Sequence, residues 1–168
     1  VAHLAVERDR LLEPLSSYLT PDLIDLAGRL SALPGEHLPW DGPPALCIEH
    51  DAHAPAHLAL LVEEWGVLVS GDMLSDVELP MPADDDVTLE RYVTGLERLR
   101  DAAASARWAI PGHGTPTSRP MERYDADMRY LDDLIAGRPS HDPRILDPEM
   151  AELHEANVRR AAAQASSG

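Results

Sequence analysis

The chain has no lysine and no phenylalanine among its 168 residues, and only one cysteine. Without lysine, its 14 basic residues are all arginine; they face 30 acidic ones, for a formal charge of −16. A field of that sign repels a phosphate backbone, which argues against nucleic acid as substrate or partner and otherwise serves solubility. Without phenylalanine, and with aromatics at 4%, the core must rest on Leu, Val, Ile and Ala. The single Cys47 excludes a disulfide framework, and its place inside Ala45-Leu46-Cys47-Ile48 predicts a buried thiol that packs as a small hydrophobe. No apolar stretch is long enough to span a bilayer and no signal peptide is visible, so a cytoplasmic location and no membrane partner are expected. An initiator Met is missing as well: Val1-Ala2-His3 reads as the tail of a strand that begins upstream.

What is present suffices for a folded domain, since hydrophobic residues make up 44% of the chain. The spacing of Leu4, Leu11, Leu12 and Leu15 predicts a first helix that Pro14 ends. Thr20-Pro21-Asp22 starts a second, with Thr20 as N-cap, and Leu23, Ile24, Leu26 and Leu30 form its apolar face until Pro34-Gly35. After a Pro/Gly-rich loop over 34–44, Ala45–Glu49 reads as a strand leading to a His-rich loop over 50–57. Leu58–Val62 and Val67–Val69, separated by Glu63-Glu64-Trp65-Gly66, read as a hairpin, which brings His57 and Gly71-Asp72 to one sheet edge. Asp84-Asp85-Asp86 places negative charge before a helix from about Thr88 to Ala104. Trp108-Ala109-Ile110 is a short strand; Trp108 and Trp65 are expected to serve packing. A helix from Pro120 or Met121 to Ala136 is capped by Gly137. A polar connection over 138–148 precedes a last helix, Pro148 to Gln164.

Three motifs sit where apolar runs stop: His53-Ala-Pro-Ala-His57, Gly71-Asp72 and Pro111-Gly112-His113-Gly114. Imidazole and carboxylate are the ligands expected for Zn²⁺ and related divalent ions. Small residues flank His53, a glycine precedes Asp72, and two glycines let the chain bend at His113. Alone, a loop histidine is commonly a surface residue and Gly-Asp at a strand end a turn. Three strand ends that each offer such a donor are a stronger signal.

In this order and with these flanks, the motifs resemble the C-terminal half of a metallo-β-lactamase-fold hydrolase. There a strand leads to a His-Thr-Pro-Gly-type loop, then a hairpin, Gly-Asp, and later Pro-Gly-His-Gly. The likeness covers about residues 45–137. It implies an α/β fold, one sheet with helices packed on it, as half of an αββα sandwich with a helical C-terminal tail. Residues 1–137 would then be a partial domain (1–44 a helical lead-in, 45–137 the motif-bearing half) and 138–168 the tail. The resemblance further implies two Zn²⁺ per complete domain, with Fe or Mn as alternatives. His53 would bind one metal, Asp72 would bridge both as the catalytic carboxylate, and His113 would belong to the second. His57 is the alternative to His53, but it enters a strand with no loop to aim it and is assigned either to support a ligand from behind or to the substrate side. His50 and Asp51 would orient His53.

The family's His-x-His-x-Asp-His run is absent here, and it belongs to the half that would precede Val1. Weak or partial metal occupancy is therefore expected, with activity only alongside that half. The implied chemistry is attack by a metal-bound hydroxide on an ester, thioester, amide or phosphoester. A small-molecule ester, thioester or lactone is the expected substrate, because the charge disfavours nucleic acid and no basic cluster suits a glutathione thioester. A second reading is an inactive half-domain that works as an interaction or dimerisation module, pairing with itself or with an N-terminal half through an exposed sheet face. A third is a mononuclear site of His53, His113 and either Asp72 or His57, with an open position for water.

Overall fold

The structure is a computed structural model that describes residues 12, 17, 19–27, 33–54, 57–82 and 88–166. Its contacts divide the chain into two units, residues 1–41 and 42–168. In the first, Thr20-Pro21 opens helix α1 (Pro21–Ala27), the Thr20 carbonyl accepting from the N–H of Ile24 at 2.9 Å. The helix expected over Leu4–Leu15 lies outside the described residues except for Leu12, as does the stretch beyond Ala27.

The second unit is built on a four-stranded sheet. Strands β1 (Ala45–His50), β2 (His57–Val62) and β3 (Val67–Gly71) form an antiparallel meander, and β4 (Trp108–Pro111) joins β3 in parallel. A parallel neighbour requires a crossover, and helices α2 (Leu89–Glu97) and α3 (Arg100–Ser105) supply it. Helix α4 (Pro120–Ile135), a 3₁₀ turn (Pro143–Leu146) and helix α5 (Pro148–Ala165) complete the unit.

Strand alternation decides which side is the core. Leu61, Leu68 and Ala109 point to one face, where they pack with Leu89, Tyr92, Leu96 and Leu99 and with Leu131 and Leu134 of α4. Val69, Trp108 and Ile110 point to the other and are exposed. This alternation corrects two expectations. Trp108 faces solvent because Ala109 takes the core position, and Trp65 is exposed in the hairpin turn. Cys47 is only half-buried, because its neighbours Leu46 and Ile48 are the ones that meet the core.

The helix expected over 88–104 is two helices. The break is an i→i−3 bond from the Leu99 N–H to the Leu96 carbonyl (2.9 Å), and both leucines are fully buried. Thr88 caps α2 by accepting from the N–H of Arg91 at 3.1 Å, while Asp84-Asp85-Asp86 lies outside the described residues. Helix α4 ends as expected at Gly137, whose N–H meets the Leu134 carbonyl while that of Arg138 meets Asp133. No described helix is long and apolar enough to cross a membrane.

Candidate functional site

The sheet register gathers the candidate residues. His50 pairs with His57 across β1 and β2, and β3 and β4 finish side by side at Gly71 and Pro111. The ladder runs one bond further, from the Gly112 N–H to the Gly71 carbonyl at 2.8 Å. Four segments therefore leave the sheet at one rim, and each carries a histidine or an aspartate.

Asp72 lies at the middle of this rim. Its Oδ2 stands 3.6 Å from Nε2 of His53 and 3.8 Å from Nε2 of His57, while Oδ1 stands 3.6 Å from Nε2 of His113. Two glycines make this crowding possible. Gly71 has φ +58°, and a Cβ there would lie 2.6 Å from Nε2 of His57; a Cβ on Gly112 would lie 2.6 Å from Oδ1 of Asp72. The Pro55-Ala56 part of the first motif lies outside the described residues.

The second ring nitrogens have separate partners. Nδ1 of His53 meets the carbonyl of Met81 at 2.8 Å, and Nδ1 of His113 lies 3.7 Å from Oε1 of Glu78. Asp51, expected beside His53, instead pairs with Arg91 of α2 at 3.3 Å. His57 receives the backbone N–H of Asp72 on Nε2 at 3.4 Å, and its Nδ1 is buried with no partner among the described residues. His50 is buried edge-on against His57, ring centres 4.7 Å apart, and neither of its nitrogens has a partner among the described residues. Burial, and then the neighbouring His57, push the His50 imidazole down to about 4. Burial and His53 also lower His57, against the pull of Asp72. Both rings are thus held neutral, the state in which imidazole is a ligand.

Sequence reasoning missed the residues that hold the rim from behind. Arg144, in a stretch read as a polar connection, is buried. Its Nη1 donates to Asp127 (2.7 Å) and to the carbonyls of Ser75 (3.0 Å) and Glu78 (2.8 Å), while Nη2 donates to Asp142 at 2.8 Å. Asp127 also accepts the N–H of Leu74 at 3.2 Å. Burial pushes the Asp127 carboxyl up, against the pull of Arg144. Asp127 was legible only as one more carboxylate in an amphipathic helix. Its partner lies 17 residues on, past a proline-containing turn.

Among the described residues, no three donors already surround a single point as an ion would require. The pairwise spacing nevertheless suits one. Two ligands at zinc-bond length from a shared tetrahedral ion stand roughly 3.3–3.6 Å apart, and the shortest contacts here reach 3.6 Å. They bring a carboxylate oxygen to an imidazole nitrogen at a distance too long for a hydrogen bond.

No protein-family model matches the chain, and no curated protein matches it either. Solved structures do. A metallo-β-lactamase family protein from Thermus thermophilus aligns at TM-score 0.50 and 25% identity, covering 79% of this chain and 47% of that one. A β-lactamase domain protein from Burkholderia ambifaria aligns at TM-score 0.51 and 22% identity, covering 73% of this chain and 38% of that one. The chain thus carries part of a metallo-β-lactamase fold and spans less than half the length of either structure.

Proposed function

We propose that this partial metallo-β-lactamase fold is the C-terminal half of a cytoplasmic metal-dependent hydrolase, with a small-molecule ester, thioester or lactone as substrate. The supporting observation is the convergence of His53, His57 and His113 on the two oxygens of Asp72. Asp72, His53 and His113 are the residues that would hold the ions, with Asp72 shared between them as the family resemblance implies. Imidazole and carboxylate donors suit Zn²⁺, with Fe or Mn as alternatives. When bound, such ions supply Lewis acidity for a carbonyl oxygen and lower the pKa of water.

The chain's own groups divide the work. The Met81 carbonyl holds Nδ1 of His53 and leaves its Nε2 lone pair free as a donor. The Asp72 N–H reaches Nε2 of His57, which supports a role for His57 beside the ions, behind a ligand or on the substrate side, in place of a ligand role. With three ligands split over two positions, this half holds metal partially and works only with further donors. Reading the coding sequence upstream of Val1 tests this. An in-frame His-x-His-x-Asp-His run is expected; a stop codon directly upstream overturns the reading.

A second reading, an inactive half-domain that acts by association with a second copy or an N-terminal half, draws support from the outer sheet face. Cys47, Leu60, Val69 and Ile110 are register partners in one row across all four strands. Val69 is 38% and Ile110 39% exposed, a contiguous apolar surface of the kind that marks interfaces.

A further inference from the structure

His113 stands in a turn that two glycines make pliant, and the sheet ties that turn at its ends. On one side the Gly112 N–H meets the Gly71 carbonyl at 2.8 Å; on the other, Thr117 and Ala109 exchange two backbone bonds of 2.9 Å. Glycine widens the backbone's freedom. A ligand held by the ends alone would sweep many positions, and fixing it would cost entropy at the moment an ion binds.

Between those ends the turn is held by the strap, residues 73–82, which follows Asp72. The Ser75 hydroxyl donates to the His113 carbonyl at 2.9 Å. The Asp76 carboxylate takes hold of Thr115: Oδ1 accepts its N–H at 2.8 Å, and Oδ2 accepts its hydroxyl. Oδ2 also pairs with Nη2 of Arg123, on α4, at 3.0 Å. One carboxylate thus joins the turn to a helix that packs on the core. The fit depends on Gly114, whose φ is +99° and where a Cβ would collide with Oδ1 of Asp76. The second glycine of Pro111-Gly112-His113-Gly114 therefore admits a carboxylate as well as a bend.

We propose that Asp76 is the positioning residue of His113: it latches the Gly114-Thr115 backbone to the strap and to α4. The latch sets where the imidazole stands before any ion arrives, so the ordering is complete in the folded chain. Its consequence for metal rests on the metal-site reading above, whereas the latch itself consists of hydrogen bonds within the chain.

The test uses the full chain, first without metal. Amide hydrogen exchange, read residue by residue by NMR, compares wild type, Asp76→Ala and Asp76→Asn. The Thr115 N–H should be protected in the wild type and exchange at least about 10-fold faster in Asp76→Ala, while Leu68 and Ala109 in the sheet keep their protection. Asp76→Asn, which retains an oxygen for that N–H, should restore part of it. Zn²⁺ titration then adds His113→Ala and the double variant Asp76→Ala/His113→Ala. Asp76→Ala should weaken binding by roughly 10–100-fold when His113 is present, and change nothing further once His113 is gone.

A Thr115 amide that stays protected in Asp76→Ala overturns the latch, whatever Zn²⁺ does. Equal weakening with and without His113 overturns the positioning role, because Asp76 then serves the fold alone. If Asp76→Ala does not fold, Thr115→Val, which removes one arm of the latch at an exposed residue, decides by the same two readings. Zn²⁺ binding that His113→Ala leaves intact overturns the metal-site reading instead, and the amide result still decides the latch.

Discussion

At the scale of single residues the rim is crowded. Gly71 sits in the left-handed region with His57 where its Cβ would be. Gly71→Ala should lower stability by at least about 1–2 kcal/mol from backbone strain alone, read by urea denaturation. His50 gives a pH dependence with a definite sign. Its ordinary value is 6.5 and the folded chain holds it at about 4, so between these values the unfolded state binds more protons. The stability it contributes is complete above pH 6.5, declines as pH falls, and is gone below about 4. The loss amounts to at most about 3 kcal/mol. Urea titrations in chelator across that range should show the slope, and His50→Phe should flatten it. The sequence made His53, Asp72 and His113 candidates because a donor beside small residues at a strand end is a local pattern, and the structure brings the three together. It could not reveal that Asp51 turns to Arg91 and that Met81 receives His53. Those choices depend on where α2 and the segment carrying Met81 pass in space.

At the scale of elements, strands were legible and the clamp behind them was not. Short apolar runs bounded by turn residues located β1, β2 and β3 to within two residues, and hairpin geometry brought His57 opposite Gly71-Asp72. The 3₁₀ turn that carries Arg144 has no periodicity, and its role comes from pairing with a helix and a strap distant in sequence. Arg144→Met should destabilise the chain by about 3–5 kcal/mol, since it strands buried Asp127 without its cation. Asp127→Asn should cost less, because the amide keeps an acceptor for the N–H of Leu74. Thermal or urea unfolding of both variants checks the order.

At the scale of the whole molecule, the chain carries part of an α/β metallo-β-lactamase fold, with a strongly acidic charge and an apolar outer sheet face. The fold class was legible from three short motifs. Contacts divide residues 1–41 from residues 42–168. If the outer row seats a partner, sedimentation at rising concentration should show association, and Val69→Glu should shift it back toward monomer.

The proposed function depends on the rim holding divalent ions between Asp72 and the imidazoles. Its most direct test is Zn²⁺ titration of the full chain, followed by calorimetry, for wild type, His53→Ala, Asp72→Ala and His113→Ala. Saturable binding is expected in the wild type, weakened in each variant and most in Asp72→Ala, which touches every other donor. Wild-type occupancy below about 0.2 equivalents at millimolar Zn²⁺, or binding unaffected by all three substitutions, would contradict the claim.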